Sequence, residues 1–263
     1  MTDQAESILL GVDGHIATLT LNEPDKRNAM SERMTDDFPA AVRRIRGMGD
    51  VRAVIVTGSG SAFCAGGDLD FLHTGERDVP FLRDKMTSFY PNFLSLLDLD
   101  IPTIAAINGP AIGAGLCLAL MCDMRVAATD APMGMTFARI GLHPGMMATA
   151  LLSRAVVHTW AAELFYTGRI VTGAEALHMG LVNRAVDRDR VLHEAHALAE
   201  QVATNAPLAL RYIKQGLRMA FADMADKASA WEGFAQPVTM ATEDVQEGLR
   251  AVRERRAPDF KGK

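Results

Sequence analysis

Two segments of the chain share one local design, in which a short apolar, β-rich run leads into a turn dense in glycine and alanine and then into a helical pattern. The first is Val54–Thr57 followed by Phe63-Cys64-Ala65-Gly66-Gly67-Asp68-Leu69. The second is Ile104–Ile107 followed by Asn108-Gly109-Pro110-Ala111-Ile112-Gly113-Ala114-Gly115. Backbone N–H groups at such a turn have no intrahelical acceptor, and the helix dipole favours negative charge there. Small side chains leave room for a ligand oxygen to reach them. Two converging N–H groups make an oxyanion hole, which stabilises charge developing on a carbonyl oxygen and contributes roughly 10²–10³ in rate per donor. Most glycine-rich turns after strands bind nothing, so the competing chemistries matter. A dinucleotide fingerprint fails, because Gly58-Ser59-Gly60 is followed by Phe63, and Gly113-Ala114-Gly115 by Leu118, where a third glycine is needed. The chain has no P-loop pattern, and Ser59 and Ser61 lack the frame of a hydrolase nucleophile.

The elements that must hold these turns are legible around them. Ile8-Leu9-Leu10, a turn at Asp13-Gly14 and the run Ile16–Leu21 predict a hairpin. Ser31 is placed to cap a helix running to about Arg46. Ala53-Val54-Ile55-Val56-Thr57 reads as a strand covered on both faces. A helix from about Phe81 to Leu97, a strand at Thr103–Ile107, a helix from about Ala114 to Met121 and a strand at Met124–Ala128 continue an alternation that argues for βαβ units in an α/β core. From about Met146 strand signals fade. Thr172-Gly173-Ala174-Glu175 has capping-box spacing, Val191–Val202 has helical periodicity, Pro207 opens another helix, and Arg250–Arg256 predicts a charged final helix. The expected division is a core over residues 1–200 and a helical region over 201–263.

Composition narrows the partners. The chain has 263 residues, 27 Lys+Arg against 32 Asp+Glu, and is 49% hydrophobic. A net charge of -5 implies no basic surface for a nucleic acid. Three cysteines, Cys64, Cys117 and Cys122, form no CxxC and suit a reducing cytoplasm rather than a disulfide framework. The polar, acidic start Met1–Glu6 carries no targeting pattern, so a cytoplasmic location is expected. From Ile101 to Cys122 the chain runs 22 residues without a charge, the length of a membrane span. Pro102, Asn108, Gly109, Pro110, Gly113 and Gly115 break that run, so it is expected to be a buried strand, a turn and a buried helix, with no membrane partner.

Ala62–Leu69, Ala106–Gly115 and Cys122-Asp123 together resemble the enoyl-CoA hydratase/isomerase (crotonase) superfamily. Glu23-Pro24-Asp25-Lys26-Arg27-Asn28-Ala29, Gly141-Leu142-His143-Pro144-Gly145, Ala174–Val182 and Glu254–Gly262 add to the likeness, which extends from about Ile8 to Gly262. The resemblance implies a spiral of ββα units with a helical C-terminal region that builds a homotrimer or a dimer of trimers. It implies that the N–H groups of Ala65 and Ala114 hold the thioester carbonyl of an acyl-CoA or enoyl-CoA so that an enolate can form. It also implies that Lys26, Arg27, Ala29, Asp68 and Leu69 contact coenzyme A, and that Arg255 reaches a neighbouring subunit's CoA. No cofactor is called for beyond the CoA carried by the substrate.

The chain departs from the family at one point. Dedicated hydratases supply two glutamates, one to activate water and one to deliver a proton, each worth roughly 10²–10⁴ in rate. The matching positions, three residues after Ala114 and fourteen after Asp123, are Cys117 and Phe137. A thiol on an apolar helix is inert, since burial raises its pKa, so Cys117 is expected to pack and, with Phe137, to shape the acyl-binding pocket. Met133, Met135, Met146 and Met147 are expected to line that pocket or fill the core. His143 becomes the first candidate for acid–base work because histidine titrates near neutrality. Arg139 could stabilise an anion, and Asp70, His73 and Glu76 are candidates for the rim. Two functions remain open: an enzyme stabilising a thioester enolate, and a non-catalytic acyl-CoA carrier or regulator.

Overall fold

A computed structural model describes residues 6–68 and 77–263. Leu69, Asp70, His73 and Glu76 lie outside the described residues. The hairpin forms as expected, with β1 (Ile8–Asp13) antiparallel to β2 (Ile16–Leu21) and Gly14 at φ +53 in the turn. Four parallel strands extend it: β3 (Ala53–Gly58), β4 (Thr103–Ile107), β6 (Met124–Ala128) and β9 (Arg184–Val186), in the order β1-β2-β3-β4-β6-β9. Every residue of β3 and β4 is buried, which suits apolar, β-branched runs covered on both faces. A second sheet joins three two-residue strands, β5 (Ala111-Ile112), β7 (Met133-Gly134) and β8 (Ile170-Val171). Strand pairing therefore continues beyond Met146, where it was not expected. β8 and β9 are too short to carry a periodic signal.

The helices form where their caps predict. Ser31 Oγ accepts from Met34 N–H at 3.1 Å and opens α1 (Glu32–Arg46). Asp78 caps α2 (Val79–Leu94), which starts two residues before Phe81 and passes into a 3₁₀ turn over Ser95–Asp98. α3 (Ala114–Met121) is apolar all round and all eight of its residues are buried. α4 (Ala148–Ala155), α5 (His158–Thr167) and α6 (Gly173–His178) follow, with Thr172 Oγ1 accepting from Glu175 N–H. α7 (Val191–Ala203) packs on the sheet, and α8 (Pro207–Met240) is the longest helix. The final helix, α9 (Glu243–Glu254), begins seven residues before Arg250, because Thr242 caps it, and stops where Arg255 turns to φ +54.

The 22-residue uncharged run is β4, a turn and α3, and no helix among the described residues is long and apolar enough to cross a membrane. Asp123, at its end, accepts from Thr103 N–H and Oγ1 and pairs with Lys214 at 2.9 Å. Lys214 also donates to Ile101 O at 2.8 Å, which fixes α8 against the start of β4. Parallel pairing from Val54↔Thr103 to Thr57↔Ala106 brings the carboxyl ends of β3 and β4 to one edge. Both glycine-rich turns therefore leave the sheet side by side, at the edge where open α/β sheets place their ligands.

Candidate active site

The two turns are joined along their length. Phe63 and Cys64 N–H groups donate to Pro110 O at 3.1 and 3.0 Å, and Ile112 N–H donates to Cys64 O at 3.1 Å. Side-chain-free positions allow this approach: a Cβ on Gly109 would lie 2.1 Å from Ser61 O, and one on Gly115 would lie 2.1 Å from Cys64 O. Gly66 adopts φ +101, and a Cβ there would lie 2.6 Å from Ile112 O and 3.6 Å from Ala114 N. The segment Glu23–Ser31 is clipped over them by Asn28. Its Nδ2 donates to Ser59 O and Ala62 O at 2.9 and 2.8 Å, and its Oδ1 accepts from Glu23 N–H.

Above the turns lies a pocket of about 490 Å³. Ala65, Gly66, Gly67, Gly113 and Ala114 form one wall, α2 contributes Met86, Phe89 and Tyr90, and Gln236 and Val252 arrive from α8 and α9. Lys26, Ala29 and Asp68 stand at the same pocket, with Lys26 Nζ 3.4 Å from Asp68 Oδ2. Phe137 lines it too, its ring 3.7 Å from where a Cβ on Gly113 would lie.

Ala114 is the first residue of α3, so its N–H has no place in the helical ladder. Ala65 differs from expectation: its N–H donates to Arg27 O at 3.0 Å and is already engaged. Gly67 N–H has no acceptor among the described residues and lines the same pocket. In the first turn the Ala65 N–H is thus taken up by the Arg27 carbonyl, while the Gly67 N–H, two residues on, is not. Spacing alone could not separate the two, because the distinction depends on the carbonyl of Arg27 arriving from another segment.

Other expected residues lie elsewhere. Cys117 is not part of the pocket wall; it is fully buried, with Sγ 3.9 Å from Gly145 O and 4.0 Å from Met135 Sδ. Burial, reinforced by the negative charge of Glu232, pushes its thiol well above the usual range, as the sequence leads one to expect of a thiol on an apolar helix. Burial likewise raises Cys64 and Cys122 to about 12. Arg27 reaches the site through its carbonyl, while its side chain is outside the lining. Arg255, exposed at the end of α9, and Arg139, also exposed, are outside the lining as well. Met133 and Met135 are core, while Met146 and Met147 line a smaller cavity behind Tyr90.

His143 faces away from the pocket. Its Nδ1 lies 2.7 Å from Pro144 O, its ring stands edge-on to Trp231 at 6.3 Å, and it lines a separate cavity with His158 and Tyr166. His143→Ala is accordingly expected to leave acyl-CoA affinity and turnover within about twofold, the scale of a change away from the working groups. A loss beyond tenfold in either, measured by calorimetry and initial rates, would contradict this placement.

The group missed in the sequence is a polar cluster on α2 and α8. Tyr90 donates to Gln236 Oε1, and Gln236 Nε2 donates to His143 O at 3.1 Å. Burial pushes the Tyr90 phenol well above its ordinary range, and the charges of Glu232 and Cys117 add to the rise against the opposing Gln236 bond. Tyr90 is therefore a neutral phenol, and it stands in the pocket wall with its hydroxyl bonded to Gln236.

A parallel sheet with paired glycine-rich turns at its carboxyl edge, under a cap of C-terminal helices, is the crotonase fold. The chain belongs to the enoyl-CoA hydratase/isomerase family, whose model matches residues 11–263. It is 34% identical to a Mycobacterium bovis protein named "Probable enoyl-CoA hydratase", over 97% of this chain and 98% of that one. It is 33% identical to the (E)-benzylidenesuccinyl-CoA hydratase of Thauera aromatica, covering 97% and 99%. Among solved structures, an enoyl-CoA hydratase/isomerase of Pseudoalteromonas atlantica superposes with a TM-score of 0.85 at 31% identity, covering 97% of this chain and all of that one.

Proposed function

We propose that the protein binds an acyl-CoA or enoyl-CoA thioester and stabilises its enolate through the N–H groups of Gly67 and Ala114. The observation that carries this reading is that these two donors, from turns fused edge to edge, line one pocket without an acceptor of their own. Charge developing on the thioester oxygen would be met by fixed dipoles rather than by reorganising water. Lys26, Ala29 and Asp68, which line the same pocket, would contact the CoA portion, as would Leu69, the next residue in the sequence. The uncovered apolar residues of α8, among them Tyr212, Ile213 and Leu217, support assembly into a homotrimer or a dimer of trimers, in which Arg255 would face a neighbouring subunit's CoA.

The reaction is double-bond isomerisation or a related lyase step on that enolate. Two-glutamate hydration is disfavoured, because Cys117 is buried behind the wall and Phe137 transfers no proton. One observation favours a second reading, a non-catalytic carrier or regulator: Asp68 is the one carboxylate among the described residues of the lining, and it is paired with Lys26.

Calorimetric titration with crotonyl-CoA and longer acyl-CoAs, followed on the same samples by hydration and isomerisation assays, tests both. Binding with isomerisation is expected, and with hydration lower by roughly 10²–10⁴ for each missing group. Binding without turnover would select the carrier, and failure to bind any acyl-CoA would sink both.

A further inference from the structure

The pocket over the two turns is uneven in polarity. The charged pair Lys26–Asp68 stands on one part of its lining, while α2 supplies an apolar wall of Met86, Phe89 and the Tyr90 ring. A second, smaller chamber of about 150 Å³ lies between α2 and α8, with Leu94, Met146 and Met147 inside and the exposed Thr87, Pro91 and Ser229 at its outer side. Met86 and Tyr90 line both cavities and sit four residues apart on one face of α2. The partition between pocket and chamber is therefore one thioether chain and one ring.

The two partition residues differ in freedom. Tyr90 is tied in place: its hydroxyl donates to Gln236 Oε1, Gln236 Nε2 donates to His143 O at 3.1 Å, and its ring packs on Phe89 with centroids 5.6 Å apart. Gly145 closes the space beyond it, since a Cβ there would overlap Tyr90 Oη. Met86 is an unbranched thioether chain with three rotatable bonds, the kind of side chain that changes shape most readily inside a core. The helix is also weakened beside it, because Pro91 lacks the N–H that the carbonyl of Thr87 would otherwise accept.

We propose that Met86 sets the acyl length this protein accepts: short chains end against it, and longer chains enter the chamber only by turning it aside. The inference rests on the thioester reading above. A chain held at its carbonyl by Gly67 and Ala114 gains most by running along the apolar α2 wall, since each buried methylene adds to affinity. That gain ends at Met86, where every further carbon must displace buried thioether contacts. Beyond Met86 there is room for a group about the size of benzene, or roughly six carbons. The Glu232 carboxyl at the chamber is held by Thr149 at 2.8 and 2.6 Å, so a chain entering there would meet chiefly Leu94, Met146 and Met147. Unsubstituted, straight acyl chains are the class that fits.

The test is a calorimetric series on the full-length protein with saturated straight-chain acyl-CoAs from butyryl- to dodecanoyl-CoA. Affinity is expected to rise about fourfold per added carbon and then level off at one length. In Met86→Ala the rise is expected to continue for about three to six further carbons before levelling. In Tyr90→Phe, which keeps the ring, it is expected to level off where it does in the unaltered protein. Met86→Ile conserves volume but stiffens the chain, so it is expected to fold even where Met86→Ala does not. There the plateau is expected to become a fall of about tenfold, the scale of forced overpacking. A rise with no break in the unaltered protein, or a break that neither Met86 variant alters, would overturn this inference and leave the thioester reading standing. A break moved by Tyr90→Phe as far as by Met86→Ala would overturn the assignment to Met86. If no acyl-CoA of any length binds, the thioester reading fails and this inference falls with it.

Discussion

Ala114→Pro is expected to slow turnover about 10²–10³-fold, the value of one oxyanion donor, while the protein stays folded. Proline removes an N–H, and Ala114 is the first residue of α3, where that N–H makes no intrahelical bond and where proline is well tolerated. The residue before a proline is pushed towards extended backbone. Gly113 sits at φ 54, ψ -120, the mirror image of that region, which glycine adopts without strain. The helix therefore survives and the donor does not. Initial rates, with circular dichroism on the same sample, separate these effects; full activity in a folded Ala114→Pro protein would show that this N–H does not touch the reacting carbonyl.

Gly115→Ala is expected to destabilise the protein by about 3 kcal/mol or more, at the upper end of overpacking effects. Helix propensity alone predicts the opposite sign, since alanine is favoured over glycine by about 1 kcal/mol inside a helix. Here the added carbon would lie 2.1 Å from Cys64 O and 2.8 Å from Cys64 C, both backbone atoms that cannot rotate away. Relief requires the two turns to separate, which breaks the Ile112 N–H to Cys64 O bond and pulls Gly67 away from Ala114. Gly216→Ala in α8, where a Cβ meets nothing within 4 Å, supplies the contrast and is expected to stabilise by up to about 1 kcal/mol. Urea unfolding of both variants gives the signs directly, and equal effects would refute the steric account.

The parts of this fold that were legible in the sequence are those with local causes. Ser31 and Thr172 announce their helices because a hydroxyl at the N-cap bonds to a backbone N–H three residues on, a relation contained in a few residues. β3 and β4 announce themselves as unbroken apolar runs. What escaped depends on segments far apart in the chain. Ala65 and Gly67 look equivalent in a glycine-rich turn until the carbonyl of Arg27 engages one of them. Tyr90 lies more than half the chain from Glu232 and Gln236, on a different helix, and nothing local marks them as neighbours. His143 looked serviceable because of its side chain's chemistry, but the loop turns its ring onto Pro144 O and Trp231. β5, β7 and β8 have two residues each, below the length at which alternation can be read.

The uncharged stretch from Ile101 to Cys122 bears also on how the chain reaches this state. Once folded, nearly all of it is buried in β4, the turn and α3. Before folding it is a long apolar segment without a charge, the kind that associates with other chains during synthesis. Asp100 and Asp123 bracket it as gatekeepers, and Asp123 gains its ion pair only when Lys214 arrives on α8, about ninety residues later. The stretch that supplies the second glycine-rich turn thus receives its closing ion pair only after the C-terminal helices have been made.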